Sequence, residues 1–197
     1  MSYMQKVSHE FQVMVKPIGS VCNLDCKYCY YLSKRDLYPD SSSFRMSDEV
    51  LERYIVQHIA ASPTNTVLFS WHGGEPTVLG VDFFRRAIAL QRKHASPGRE
   101  ILNGIQTNGT LLDDEWCRFL AEEKFYVGLS IDGPRDLHDF YRVDKNERAT
   151  HKQTIQAFRM LRRHGVHVDV LCVVNAKNVR QPLAVYRFFK DLGVRFL

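Results

Sequence analysis

Apolar and polar positions alternate along residues 11–16, the period of a half-buried strand, and then give way to a loop dense in cysteine. From residue 47 onward the pattern becomes regular. Residues 47–61 read as a helix, with Ser47 as N-cap and Asp48 and Glu49 in the first turn, where acidic side chains favour the helix dipole. Residues 66–71 read as a buried strand and 81–94 as a helix ended by Ser96-Pro97-Gly98. Residues 101–107 form a strand closed by Asn108-Gly109, and a helix over 112–123 starts near Asp113. A strand over 126–131 breaks at Asp132-Gly133-Pro134. A helix over 150–164 takes Gly165 as its C-cap, a strand covers 166–174, and a helix over 179–192 is closed by Gly193. Residues 194–197 look like another strand beginning.

Strands alternating five times with helices of this length predict an α/β fold with a parallel sheet and right-handed crossovers. Either an open doubly wound sheet or a barrel satisfies the pattern, and both place ligands at the C-terminal ends of the strands. Because the last residues sit inside an apolar run, the chain reads as part of a longer protein.

With 197 residues and 45% apolar content, residues 1–197 suffice for one sizeable core and one domain. The net charge of +5 is spread along the chain with no basic arm, which argues against a nucleic-acid partner. Residues 1–10 lack the apolar stretch of a secretory signal, and no apolar run is long enough to span a bilayer, so a cytoplasmic protein without a membrane partner is expected. Five cysteines, three of them within eight residues, make a poor disulfide framework and point to metal or redox chemistry.

Those three are Cys22, Cys26 and Cys29, spaced Cys-x-x-x-Cys-x-x-Cys after the first strand. Zinc wants a fourth ligand, usually as two separated pairs, and bacterial ferredoxins use a tighter run with a further cysteine. Three thiolates can instead hold three irons of a cubane cluster and leave the fourth iron open. Three buried loop cysteines, or a zinc knuckle completed by a histidine, are the plain alternatives.

Later strand ends carry further candidates. Trp71-His72-Gly73-Gly74-Glu75-Pro76 lets backbone approach a ligand closely, or is a glycine turn fixed by Pro76. Asn108 is either a hydrogen-bonding group for a ligand or half of a turn pair. Ser130-Ile131-Asp132-Gly133-Pro134 is followed by Leu137-His138-Asp139 and Arg142, whose fork suits a carboxylate unless it is a solvated surface charge. Cys117 on a helix and Cys172 in a strand read as structural, and His151, His164 and His167 are scattered without a role.

The cysteine spacing, the aromatic Tyr28 before the last cysteine, and the position after the first strand resemble the radical S-adenosylmethionine (SAM) superfamily. The resemblance implies a partial (β/α)6 TIM-like barrel, here truncated at the start of the sixth strand. It implies a 4Fe-4S cluster whose open iron chelates SAM, and cleavage of SAM to a 5′-deoxyadenosyl radical. It also implies cofactor-binding roles for Tyr28, Gly74, Glu75, Asn108, Ser130 and Arg142. The longer runs Val15-Lys-Pro-Ile-Gly-Ser-Val-Cys22, Phe69-Ser-Trp-His-Gly-Gly-Glu-Pro, Gln106-Thr-Asn-Gly-Thr-Leu-Leu and Ser130-Ile-Asp-Gly-Pro look like the anaerobic sulfatase-maturating enzymes. Those oxidise a Cys or Ser of a sulfatase to Cα-formylglycine. By that resemblance Tyr31 and His72 face a sulfatase polypeptide or another peptide, and a donor such as flavodoxin or ferredoxin supplies electrons. The family's cysteine-rich SPASM domain and its acidic catalytic base would lie outside this chain. Residues 144–150 depart from the family by lacking a glycine-rich turn. A SPASM-type enzyme acting on another peptide, and a non-enzymatic iron-sulfur or zinc-binding regulatory module, are the competing readings.

Overall fold

A computed structural model describes residues 9–39 and 44–197. Residues 1–8, most of the segment read as lacking a secretory signal, and residues 41–43, whose Ser-Ser-Ser run reads as a turn, therefore lie outside the described residues. Five parallel strands run in strict sequence order: β1 (Met14–Val15), β2 (Thr66–Trp71), β3 (Glu100–Thr107), β4 (Tyr126–Ser130) and β5 (His167–Leu171). A doubly wound sheet reverses direction at a switch point. This sheet never does, so the barrel alternative holds, as an arc that does not close.

The helices are α1 (Asp48–Ala61), α2 (Val81–His94), α3 (Asp114–Glu122), α4 (Arg135–Tyr141), α5 (His151–Arg163) and α6 (Pro182–Leu192). Neighbours pack along one layer, α1 on α2, α2 on α3, and α3 on α5. Ser47 caps α1 through Val50 N–H and Asp113 caps α3 through Trp116 N–H, as the sequence predicts. Val67, Phe69 and Trp71 of β2 and Val127 and Leu129 of β4 point into the helix-side core. The intervening positions present Ser70, Gln106, Gly128 and Ser130 on the other, only half-buried face. Parallel sheets need cover on both faces, and a polar, glycine-lined inner face is suited to cover by ligand rather than by core.

Beneath β2 and β3, Asn103 joins three elements. Its Oδ1 accepts Trp71 Nε1–H and Gln91 Nε2–H, both at 2.9 Å, and its Nδ2 donates to Gln91 Oε1. That satisfied buried network fixes Trp71, the residue from which the glycine pair leaves β2.

Several boundaries differ from the sequence reading. The first strand shrinks from residues 11–16 to two residues, because it is an edge strand and Lys16-Pro17 leads into a turn closed by Gly19 N–H on Lys16 O. The fifth strand stops at Leu171 because Val173 N–H is captured by Asp132 and Asn175 and Asn178 form a turn. The last helix starts at Pro182, after a 3-10 turn at Asn178–Arg180, since proline suits the first helical turn. No strand forms over 194–197; a single backbone bond, Val170 N–H to Phe196 O at 3.1 Å, and the Phe196 ring 6.2 Å from His167 tie this segment to β5. Helix α4 has no counterpart in the sequence reading: seven residues with only Leu137 and His138 buried leave too little periodicity.

Candidate active site

The cysteine loop leaves β1 and is clamped from two sides. On one side Gly74 N–H donates to Gly19 O and Glu75 N–H to Val21 O, both at 2.9 Å. A Cβ at Gly74 would overlap the Val21 carbonyl, so glycine is required there for the loop to lie on the strand end. On the other side Asp25 N–H donates to Val143 O and Lys27 N–H to Tyr141 O, again at 2.9 Å, and Leu24 bridges to Asp144.

Cys26 is buried and Cys22 and Cys29 are half-buried. Cys22 Sγ accepts Leu24 N–H at 3.3 Å and lies 3.8 Å from Asn108 Nδ2. Burial pushes the Cys22 thiol up to about 12 and the Cys26 thiol up to about 11. Neither is a thiolate nucleophile on its own; bound iron would deprotonate them. A cubane presents three separate irons to three thiolates, so its ligands need not converge on one point. Three cysteines on a clamped loop, with backbone N–H pointing at sulfur, fit a 4Fe-4S cluster.

Glu75 is fully buried and spends both oxygens on protein donors. Oε1 accepts Thr77 N–H, the Thr77 hydroxyl and the Thr107 hydroxyl at 3.1, 2.6 and 2.7 Å, and Oε2 accepts Asn108 N–H at 2.7 Å. Burial still holds its carboxyl above the usual range, outweighing those donors. Its carboxylate ties the end of β2 to the end of β3. Asn108 forms the turn and also reaches into the cysteine loop. Its Oδ1 accepts Thr110 N–H at 2.9 Å in a turn, while Nδ2 donates to Asn23 Oδ1 at 3.0 Å inside the cysteine loop.

After β4, Asp132 has no exposure. It accepts Tyr28 O–H at 2.5 Å and Arg142 Nε–H at 3.0 Å on Oδ2, and Val173 N–H at 3.0 Å on Oδ1. Arg142 is therefore buried and paired, and its guanidinium lies 5.5 Å from the Tyr28 ring. His138 Nδ1 accepts Asp132 N–H. Because Thr150 donates its hydroxyl to Arg142 O, His138 Nε2–H must donate to Thr150, which makes the imidazole neutral. Burial, with the Arg142 and His151 charges, pushes it down to about 3. Asp139 caps α5 from a distance, accepting Thr150 and His151 N–H. The missing glycine turn is replaced: Glu147 takes the left-handed conformation (φ 58) and Asp144 Oδ1 accepts Asn146 and Arg148 N–H. Ser130, on the inner face, accepts Gln106 Nε2–H at 2.9 Å.

Tyr31 is buried and lies 6.4 Å from His72, ring to ring, with Lys16 Nζ 4.8 Å from the Tyr31 centroid. His72 Nδ1 is buried without a partner, and burial followed by the Lys16 charge lowers its pKa. Lys16, Ser20, Tyr31 and Lys34 border a cavity of about 440 Å³ beside the loop.

The structure thus brings Cys22, Cys26, Tyr28, Gly74, Glu75, Asn108 and Arg142 around one loop, with Tyr31 and His72 on its flank. The sequence reading assigned no role to Asp132, His138, Asp139 or Lys16. Asp132 was hidden in an Asp-Gly-Pro turn signal; a histidine and an arginine one helical turn apart just after it were the available clue. Cys117 is fully buried on α3 as expected, whereas Cys172 lies one residue past β5, half-buried, its Sγ 3.7 Å from Asn178 Nδ2.

The family model of the radical SAM superfamily matches residues 17–189. The chain is 46% identical over 185 residues to a serine-type anaerobic sulfatase-maturating enzyme of Bacteroides thetaiotaomicron, covering 94% of this chain and 44% of that protein. It is 40% identical over 185 residues to a cysteine-type anaerobic sulfatase-maturating enzyme of Clostridium perfringens, covering 94% and 50%. The solved structure of native anSMEcpe with bound AdoMet and Cp18Cys peptide superposes with a TM-score of 0.86 at 38% identity, over 94% of this chain and 49% of that one. The chain spans about half the length of the curated relatives it matches.

Proposed function

The chain belongs to the radical SAM superfamily, and on that premise we propose that residues 1–197 are the SAM-cleaving core of an anaerobic sulfatase-maturating enzyme. The observation that carries the proposal is the clamped three-cysteine loop, held between the end of β2 and residues 141–144 and backed by a buried arginine. Cys22, Cys26 and Cys29 hold the cluster in this reading. Bound there, a 4Fe-4S cluster would supply the single electron for reductive cleavage of SAM. Arg142 and Ser130 take the methionyl carboxylate, Tyr28 and Asn108 border SAM, and Gly74 and Glu75 shape the strand end against which it lies. Tyr31 and His72 face the substrate peptide. The oxidised group is a Cys or Ser side chain, converted to Cα-formylglycine; a sequence-related peptide-modifying reaction would use the same core. A non-enzymatic regulatory module would leave the burial of Arg142 beside a cluster loop without a purpose.

The partner class is a sulfatase-type peptide, a reading supported by the peptide bound in the solved relative, together with a low-potential electron donor such as flavodoxin or ferredoxin. Among the described residues no helix is long and apolar enough to cross a membrane. Five free cysteines suit a reducing compartment, and we place the protein in the cytoplasm. The test is to incubate the anaerobically reconstituted full-length protein with SAM, a reductant and peptides carrying the sulfatase target Cys or Ser, and to trap aldehyde with a hydrazine. Aldehyde on the target residue supports the proposal. SAM cleavage with no aldehyde on either peptide moves the substrate to another peptide class.

A further inference from the structure

Asp132 reaches three separate elements with two oxygens: the cysteine loop through Tyr28, the end of α4 through Arg142, and the segment after β5 through Val173. A carboxylate that simply neutralised Arg142 would take its fork with both oxygens. Here Asp132 uses only Nε, and among the described residues Nη1 and Nη2 donate to no protein acceptor. Neither is sealed from solvent without a partner. One edge of the guanidinium is held while the other stays available, the arrangement a second carboxylate needs. The backbone of Asp132 is fixed in turn by the neutral His138. The Tyr28 ring, two positions past Cys26, packs under the same guanidinium. Asp132 has no free oxygen and no exposure, so it is not a proton acceptor for substrate.

We infer that Asp132 is a positioning residue for SAM: it aims the free edge of Arg142 at the methionyl carboxylate and, through Tyr28, holds that edge in register with the cluster loop. The inference rests on the proposed radical SAM reading. Asp132 touches neither SAM nor the cluster; its effect passes through Arg142 and Tyr28.

The test compares binding of SAM with binding of decarboxylated SAM to the reconstituted full-length protein, followed by the change in the cluster spectrum. Iron content is measured in every preparation. In Asp132→Asn, SAM should bind about tenfold or more weakly, the scale of one charge-assisted hydrogen bond, while decarboxylated SAM should change by less than about threefold. The preference for the carboxylate collapses although the amino group and adenosine still bind. A residue that merely supported the fold would weaken both ligands alike. Full iron content with an unchanged preference in Asp132→Asn overturns the inference. Should that variant fail to hold iron, Tyr28→Phe keeps the Asp132–Arg142 pair and the ring beside it and removes the hydroxyl that forms the tether. A few-fold loss of the same preference then supports the inference, and an unchanged preference overturns it. Wild-type protein that binds both ligands equally would overturn the carboxylate role of Arg142 and this inference with it, while SAM-dependent 5′-deoxyadenosine formation would still decide the radical SAM reading separately.

Discussion

Glu75 and Asp132 are both buried carboxylates at strand ends, and both hold the cysteine loop, but they are satisfied differently. Glu75 meets only neutral donors, two hydroxyls and two backbone N–H groups. It is a tie: both oxygens accept from protein donors and the side chain is buried. Asp132 is neutralised by a cation whose far edge stays free. The same burial therefore gives a closed anchor after β2 and an open one after β4. The difference separates motif residues that build the cradle from those that reach what lies in it.

The sharpest break of this comparison is Asp132→Ala. It strands Arg142 as an unpaired buried charge, and unfolding in denaturant should show a loss of about 3–5 kcal/mol. Glu75→Ala leaves the N–H groups of Thr77 and Asn108 without acceptors but no charge unpaired. A smaller loss of about 2–4 kcal/mol is expected, with iron content reduced because Asn108, whose Nδ2 reaches Asn23 in the cysteine loop, loses the carboxylate that holds its N–H. If the two losses came out reversed, the charge-paired anchor would not be the dominant one.

A third test uses pH. The His138 imidazole is pushed from 6.5 to about 3, so the folded protein binds fewer protons than the unfolded chain between those values. Its contribution is complete above about pH 6.5 and is lost as pH falls toward 3. Replacing His138 with Gln should flatten that acid limb of the stability profile and leave the Glu75 anchor untouched. The smallest effect belongs to the turn beside the Asp132 anchor. Glu147→Gly relieves a left-handed backbone and should be neutral to stabilising by up to about 1 kcal/mol, with SAM binding unchanged.

Much of this was legible along the chain. Apolar runs at strand and helix spacing, with Ser47, Asp113 and the glycine stops, mark out a sequential β/α arc, because each signal is local. The spacing of the three cysteines points to metal chemistry, and the resemblance of the surrounding runs to radical SAM enzymes narrows it to a 4Fe-4S cluster. What stayed hidden is what depends on distant partners. The pairing of Asp25 with Val143 and of Tyr28 with Asp132 spans more than a hundred residues, and no local pattern encodes it. Helix α4 was too short to show a period, and the last four residues look like a strand until the structure gives them one bond in place of a ladder. Glu75 shows a further limit: a residue within a ligand-binding motif can serve the motif by holding its backbone.

The most direct test of the central claim is the release of 5′-deoxyadenosine from SAM by the reduced, iron-reconstituted full-length protein, compared with its Cys26→Ala variant. The account predicts product from the wild type and none from the variant, which has lost one of the three thiolates. A wild type that holds a complete 4Fe-4S cluster and binds SAM, yet releases no more product than the variant, would contradict it.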